Sequence, residues 1–174
     1  MFLDESGFLL QPLNRRTWAA RGMRPVQYAS QRHDRLSVIG SLSLSPRRRR
    51  IGIAFEVQDE NVRAPHIVAY LRHTHRQLRR PLIVVMDRLN VHRAAVRQLR
   101  QAGATWLHVE WLPPYAPDLN PVEAVWGHAK CSDLANFVPD DVDHLRDAVV
   151  ESVGDLKWDD RLKHSFFQTA QLPL

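Results

Sequence analysis

One cysteine in 174 residues, Cys131, leaves no partner for an internal disulfide and fits a reducing compartment. No electropositive niche surrounds it in the sequence, so it reads as a core or surface thiol rather than a nucleophile. No apolar run approaches the roughly 20 residues of a membrane span. Met1 leads straight into FLDE without a basic n-region, so no secretory signal is visible and no membrane role is expected. Lysine is scarce as well, with none before Lys130. The basic character is therefore almost all arginine, which favours bidentate phosphate contacts, although codon usage produces the same bias. Neither an internal repeat nor a low-complexity linker is present.

What is present suits a single globular domain covering residues 1–174. Apolar residues make up 44% and charged residues 25% of the chain, ordinary proportions for such a domain. The net charge of +5 is spread unevenly. Residues 1–50 hold ten arginines against Asp4, Glu5 and Asp34, whereas residues 133–174 hold nine acids against four bases. A basic excess on one part of a domain suggests a polyanion partner, usually nucleic acid. A solvated face explains the same charge.

Phe2 and Leu3 read as the tail of a short strand that closes on Asp4, Glu5, Ser6 and Gly7. Successive strand side chains face opposite ways, so Asp4 and Glu5 cannot both serve one site. Residues 16–29 contain turn signals between candidate short strands, and packing is the expected role of Trp18. Leu36, Val38, Leu42 and Leu44 alternate with serines, and Ile51, Ile53, Phe55 and Val57 alternate again. The intervening Arg47, Arg48, Arg49 and Arg50 make the loop of an antiparallel hairpin. They are a solvated tip or a DNA contact, depending on where that tip faces. A helix starting near Asn61 or Pro65 carries Ile67, Tyr70, Leu71, Thr74 and Leu78. Its His73 and His75 do not share a face, which argues against a metal pair there. The apolar run Leu82 to Met86 predicts a strand covered on both faces, terminated by Asp87. A helix from about Val91 buries Val91, Ala95, Leu99 and Ala102 and stops at Gly103. Residues 106–112 form the last strand. Val142, Leu145, Ala148 and Val149 mark one further helix, and Trp158, Leu162, Phe166 and Phe167 another.

Residues 111–130, WLPPYAPDLNPVEAVWGHAK, join that last strand to a helix through a rigid turn. Asn120 suits the N-cap, Pro121 the first helical position, and Glu123 the third, as in a capping box whose carboxylate returns to the cap amide. Val122, Val125, Trp126 and Ala129 supply the apolar face. Asp118 in the turn is expected to bond its own backbone. Three antiparallel strands followed by βαβ crossovers make a mixed α/β sheet with helices on both faces. Such a sheet can bring Asp4, Asp87 and Glu123 together. Three oxygen donors without Cys or His suit Mg²⁺ or Mn²⁺, and a pair of such ions about 3.5–4 Å apart supports phosphodiester chemistry.

The blocks FLDESGF, IVVMDRLNVHRA and PPYAPDLNPVEAVWGHAK resemble the three catalytic blocks of DDE transposases, in particular the bacterial insertion-sequence branch of the mariner superfamily. The resemblance implies a ribonuclease-H-like catalytic domain with a five-stranded mixed sheet and extra C-terminal helices. It also implies two bound Mg²⁺ or Mn²⁺ ions and cleavage and rejoining of DNA at element ends. By position it makes Asp4, Asp87 and Glu123 the metal-binding triad; 35 residues separate the last two. His92, Asn90, Arg88 and Asn120 become supporting or DNA-contacting residues. Arg88 stands where the family frequently has asparagine. The partners implied are transposon-end and target DNA and a second copy of the chain, in a cytoplasmic, nucleoid-associated setting. The family's N-terminal helix-turn-helix modules have no counterpart here, which suggests a catalytic half: a second reading frame beside a separately encoded half, a truncated remnant, or a fragment. A non-catalytic remnant that only binds DNA or a partner is the rival reading. A stand-alone structure-selective nuclease is a third.

Overall fold

The computed structural model describes residues 1–28, 34–172 and 174. Five strands form one sheet: β1 (Phe2–Leu9), β2 (Arg35–Leu44), β3 (Ile51–Gln58), β4 (Leu82–Met86) and β5 (Leu107–Trp111), in the spatial order β3-β2-β1-β4-β5. The first three are antiparallel, while β4 runs parallel to both β1 and β5. Helices α1 (Ala64–Leu78) and α2 (Asn90–Gln101) make the crossovers around β4. Helix α3 (Pro121–His128) follows β5, then α4 (Val142–Asp155) and α5 (Asp160–Thr169). The mixed sheet expected from the element order is therefore present. Among the described residues, no helix is long and apolar enough to cross a membrane.

Two cores sit on opposite sides of the sheet. On one, Leu3, Ile39, Val84 and Met86 meet Ile67, Leu71, Ala95 and Leu99 of α1 and α2. On the other, Phe8, Val38 and Leu42 meet Val122, Trp126, Val149 and Phe167 of α3, α4 and α5. The alternation along β1 decides which side each residue serves. Leu3 goes to the α1–α2 side, and Phe2 stacks edge-on against Phe167 of α5 at 5.9 Å.

Several expectations need correction. The first strand is not a broken stub: it runs eight residues, straight through Asp4 and Glu5. Its pairing with β2, eight consecutive partners from Phe2↔Leu42 to Leu9↔Arg35, holds it extended. Strand β4 is covered on one face only, with Ile83 60% exposed. The second layer of helices spreads over β1, β2 and β3 instead. Residues 14–28 form an exposed arm without strands, which turns at Ala20–Met23 and doubles back so that Arg15 and Gln27 both bond Asn136; residue 29, the end of the predicted segment, lies outside the described residues. Trp18 on that arm is 99% exposed and packs on nothing, and Trp158 lies ahead of α5, likewise exposed. Leu78 and Ala102 are also exposed, as turns at Arg79 and Gly103 carry the chain away at those helix ends.

Gly40 of β2 has a specific reason to lack a side chain. It pairs with Asp4, and a Cβ there would lie 2.4 and 2.7 Å from two ring atoms of Trp126. The indole can cross β2 and reach β1 only because that space is open. Gly40→Ala should cost about 1–3 kcal/mol in urea unfolding, the usual penalty of overpacking. A variant as stable as the parent would show that the indole is not confined there.

A carboxylate cluster at one end of the sheet

Because β1 and β4 are neighbours, with Phe2 opposite Val85, Asp4 and Asp87 occupy equivalent levels on adjacent strands. Asp4 is nearly buried and faces α3, where one carboxylate oxygen (Oδ2) accepts a hydrogen bond from the Trp126 indole N–H at 3.0 Å. A buried indole needs such an acceptor. Burial, reinforced by the nearby Glu123 and Glu5 carboxylates, pushes the Asp4 pKa up to about 7. Charge on this group is therefore disfavoured wherever nothing positive offsets it.

Glu123 reaches the cluster from the first turn of α3. Asn120 caps that helix as expected, its side-chain oxygen accepting from the Val122 amide at 3.2 Å. Its side-chain amide donates to the Leu3 carbonyl at 3.2 Å, pinning the helix start to β1 beside Asp4. The expected capping box is not closed. The Asn120 amide donates to the Pro117 carbonyl, so the Glu123 carboxylate is not drawn back to the cap and stays at the mouth of the cluster. Partial burial raises its pKa, Lys130 opposes that, and Asp87 and Asp118 add to the rise. Asp118 is exposed in a 3₁₀ turn, Pro117–Leu119, and makes no cap bond of the expected kind.

Glu5 points to the opposite side of β1, towards α2. There the His92 ring, wholly buried, lies between two carboxylates: Nε2 is 2.6 Å from Glu5 Oε1 and Nδ1 is 2.6 Å from Asp87 Oδ1. Burial alone would lower the imidazole pKa, but Glu5 and Asp87 together raise it to about 9. The two carboxylates thus favour the protonated ring, and its burial screens it from any DNA contact. Arg88 and Asn90 are exposed, and the Asn90 side chain accepts from Arg93. Neither bonds to the carboxylates.

The arginine run 47–50 sits at the β2–β3 tip, exposed, with Ser45 accepting from the loop amides. That tip lies beyond the amino-terminal end of β1, roughly 17 Å along the strands from Gly40 at about 3.4 Å per residue. The structure does not bring it to the carboxylate end.

Lys130, missed in the sequence, completes the cluster. It falls seven residues after Glu123, in a π-helical turn, Ala129–Asp133, that continues α3; such turns recur at functional sites. Its ammonium donates to the Ser6 hydroxyl at 2.7 Å, lies 5.1 Å over the Phe8 ring, and has its pKa lowered by burial despite Glu123 and Asp4. The two-turn spacing from Glu123 was the available signal.

The cluster runs from buried Asp4 through half-buried Asp87 to exposed Glu123, and so opens to solvent on the Glu123 side. A cavity of about 460 Å³ lies elsewhere, between the π turn, α4 and α5, and holds none of the predicted residues. Among the described residues, no three His, Cys, Asp or Glu side chains stand in ready-made metal-ligating geometry. The chemistry of the donor set nevertheless fits a divalent cation: Glu123 raises Asp4, and Asp87 raises Glu123. A cation relieves that mutual repulsion.

A mixed sheet with this strand order and helices on both faces defines a domain of the ribonuclease-H-like class. The family model described as "DDE superfamily endonuclease" matches residues 1–146. The chain belongs to that family. No curated protein sequence matches it. Among solved structures, a pre-cleavage Mos1 transpososome is 19% identical with a TM-score of 0.63, covering 98% of this chain and 53% of that one. The mariner Mos1 paired end complex with Mg is 20% identical with a TM-score of 0.59, over 98% and 52% of the two chains. A simian T-cell lymphotropic virus intasome is 15% identical with a TM-score of 0.51, over 88% and 46%. The chain thus spans about half the length of the solved chains it matches, and at these identities the likeness is one of fold.

The raised Asp4 pKa has a defined consequence for the metal-free protein. Its folded value lies above the ordinary 3.8, so its contribution to stability is full below that value and is lost as pH rises through about 7. Asp4→Asn should match the parent near pH 4 and become the more stable protein by pH 8. The gap is at most about 4 kcal/mol, from about 1.4 kcal/mol per pKa unit. Urea unfolding in chelator at both pH values measures it. A gap that does not widen with pH would place Asp4 in a better-solvated site.

Proposed function

We propose that this chain is the catalytic domain of a DNA transposase of the mariner superfamily, from its bacterial insertion-sequence branch. The observation that carries the reading is the convergence of Asp4, Asp87 and Glu123 at one sheet end, close enough that Glu123 raises the proton affinity of Asp4 and Asp87 that of Glu123, in a DDE-family chain. The similar Mos1 complexes include one with Mg and one with Mn. Asp4, Asp87 and Glu123 are the residues that would hold two such ions. Bound there, the ions supply activation of a water or a 3′-hydroxyl and charge stabilisation at the leaving oxygen of a phosphodiester.

The chain's own residues have separate duties around that chemistry. Trp126 keeps the Asp4 carboxylate facing α3, Asn120 holds the start of α3 against β1, and Lys130 adds positive charge beside Asp4 and Glu123. The open sheet end admits a duplex that an enclosed pocket would refuse. The arm at residues 14–28 exposes Trp18 and Tyr28 among Arg15, Arg16, Arg21 and Arg24. Aromatic faces between arginines suit nucleic acid. Hydrolysis at an element end, followed by attack of the freed 3′-hydroxyl on target DNA within a homodimer, is the activity this supports.

Asp87→Asn in the full-length protein should lower strand cleavage of labelled transposon-end DNA by several orders of magnitude, with the circular dichroism spectrum unchanged. Cleavage at the parental rate would sink the catalytic assignment. One observation favours the rival reading of a non-catalytic DNA- or partner-binding remnant: among the described residues, the converging carboxylates do not stand in ready-made metal-ligating geometry. Calorimetric titration with Mn²⁺ separates the two, since a remnant takes up no metal pair.

A further inference from the structure

Glu5 has no part in the reaction described above, yet its side chain is only 13% exposed and aims at a ring with no solvent contact. The His92 ring joins Glu5 of β1 to Asp87 at the end of β4, with 2.6 Å on either side. Asp87 Oδ1 also accepts from the Leu89 amide at 3.0 Å. Both donors converge on that one oxygen, and among the described residues no hydrogen bond reaches Oδ2. An imidazole can swing about its own side-chain bonds unless both ring nitrogens are engaged. The acceptor that stops the swing comes from a different strand.

We propose that Glu5 is a positioning residue for Asp87: through the His92 ring it commits Oδ1 to the protein and leaves Oδ2 turned towards a divalent cation. This rests on the reading of Asp87 as a cation ligand. Outer partners of this kind orient a ligating group and are worth about 10–100-fold in metal affinity. A plain structural tie between β1 and α2 would affect stability and leave cation affinity alone.

The test compares Glu5→Leu, Glu5→Gln and Asp87→Asn in the whole chain, with free Mn²⁺ followed by electron paramagnetic resonance. Glu5→Leu removes the acceptor and should weaken Mn²⁺ binding by about 10–100-fold. Glu5→Gln keeps an oxygen in the same place and should retain more of the affinity. In metal-free protein, the His92 ring N–H signal facing Asp87 should shift in Glu5→Leu, reporting the link without any cation. Parental affinity in Glu5→Leu, alongside loss in Asp87→Asn, overturns the proposal and leaves the ligand reading standing. Parental affinity in Asp87→Asn removes the ligand reading and the proposal together. Should Glu5→Leu not fold, the parent decides: a His92 ring without a protected N–H towards Glu5 overturns the link, and its presence with graded loss in Glu5→Gln supports it.

Discussion

Two consecutive carboxylates on one strand, Asp4 and Glu5, must face opposite sides of the sheet, and most of the site follows from how each is received. Asp4 meets the Trp126 indole of α3, and Glu5 meets the His92 ring of α2. A hydrogen bond to an ionised group is worth about 1.5–3 kcal/mol, and leaving such a group buried and unpaired costs more. Each helix therefore has to bring a donor to a set height on β1. The open space at Gly40 and the Asn120 bond to the Leu3 carbonyl are the local adjustments that fix α3 there.

The arrangement carries an electrostatic load. Asp4, Glu5, Asp87 and Glu123 are gathered around one end of the sheet, with His92 and Lys130 to offset them. His92 takes up two of the acids by lying between them, whereas Lys130 is itself partly desolvated. Asp4 is left with a proton affinity far above that of an ordinary aspartate. Proteins tolerate such local instability where a site needs it, with the surplus coming from elsewhere. Here the surplus comes from two apolar layers, one on each face, which span β1 and hold its geometry against the repulsion.

The comparison of pattern with structure separates local from non-local effects. The Asn120 cap and the stop at Gly103 were legible, because each depends on neighbours within a few residues, whereas the alternation in β2 marked a strand but wrongly a half-buried one, since helices cover both of its faces and bury Ser37 and Ser41 too. The strand end at Asp4 was misread, since the ladder with β2 carries the chain on past it. The capping box failed for a similar reason: the 3₁₀ turn takes the Asn120 amide through the Pro117 carbonyl and frees Glu123. Hydrophobicity also misled at Trp18, Trp158 and Ile83, where apolar side chains stand exposed. A pattern says that a residue is able to be buried, and only the surrounding layers determine whether anything covers it. The arginine run shows the same limit with charge, as its hairpin tip points away from the carboxylates.

The order of elements, the apolar faces, and the three acid-bearing blocks with their family resemblance can all be read along the chain, because periodicity and capping act at short range. Which acids meet is different. That Asp87 stands level with Asp4, that Glu5 reaches His92 instead of the cluster, and that Lys130 comes to Ser6 depend on β4 inserting beside β1 and on α3 crossing β2. Those contacts join residues more than eighty positions apart, and no local pattern encodes the strand order that produces them.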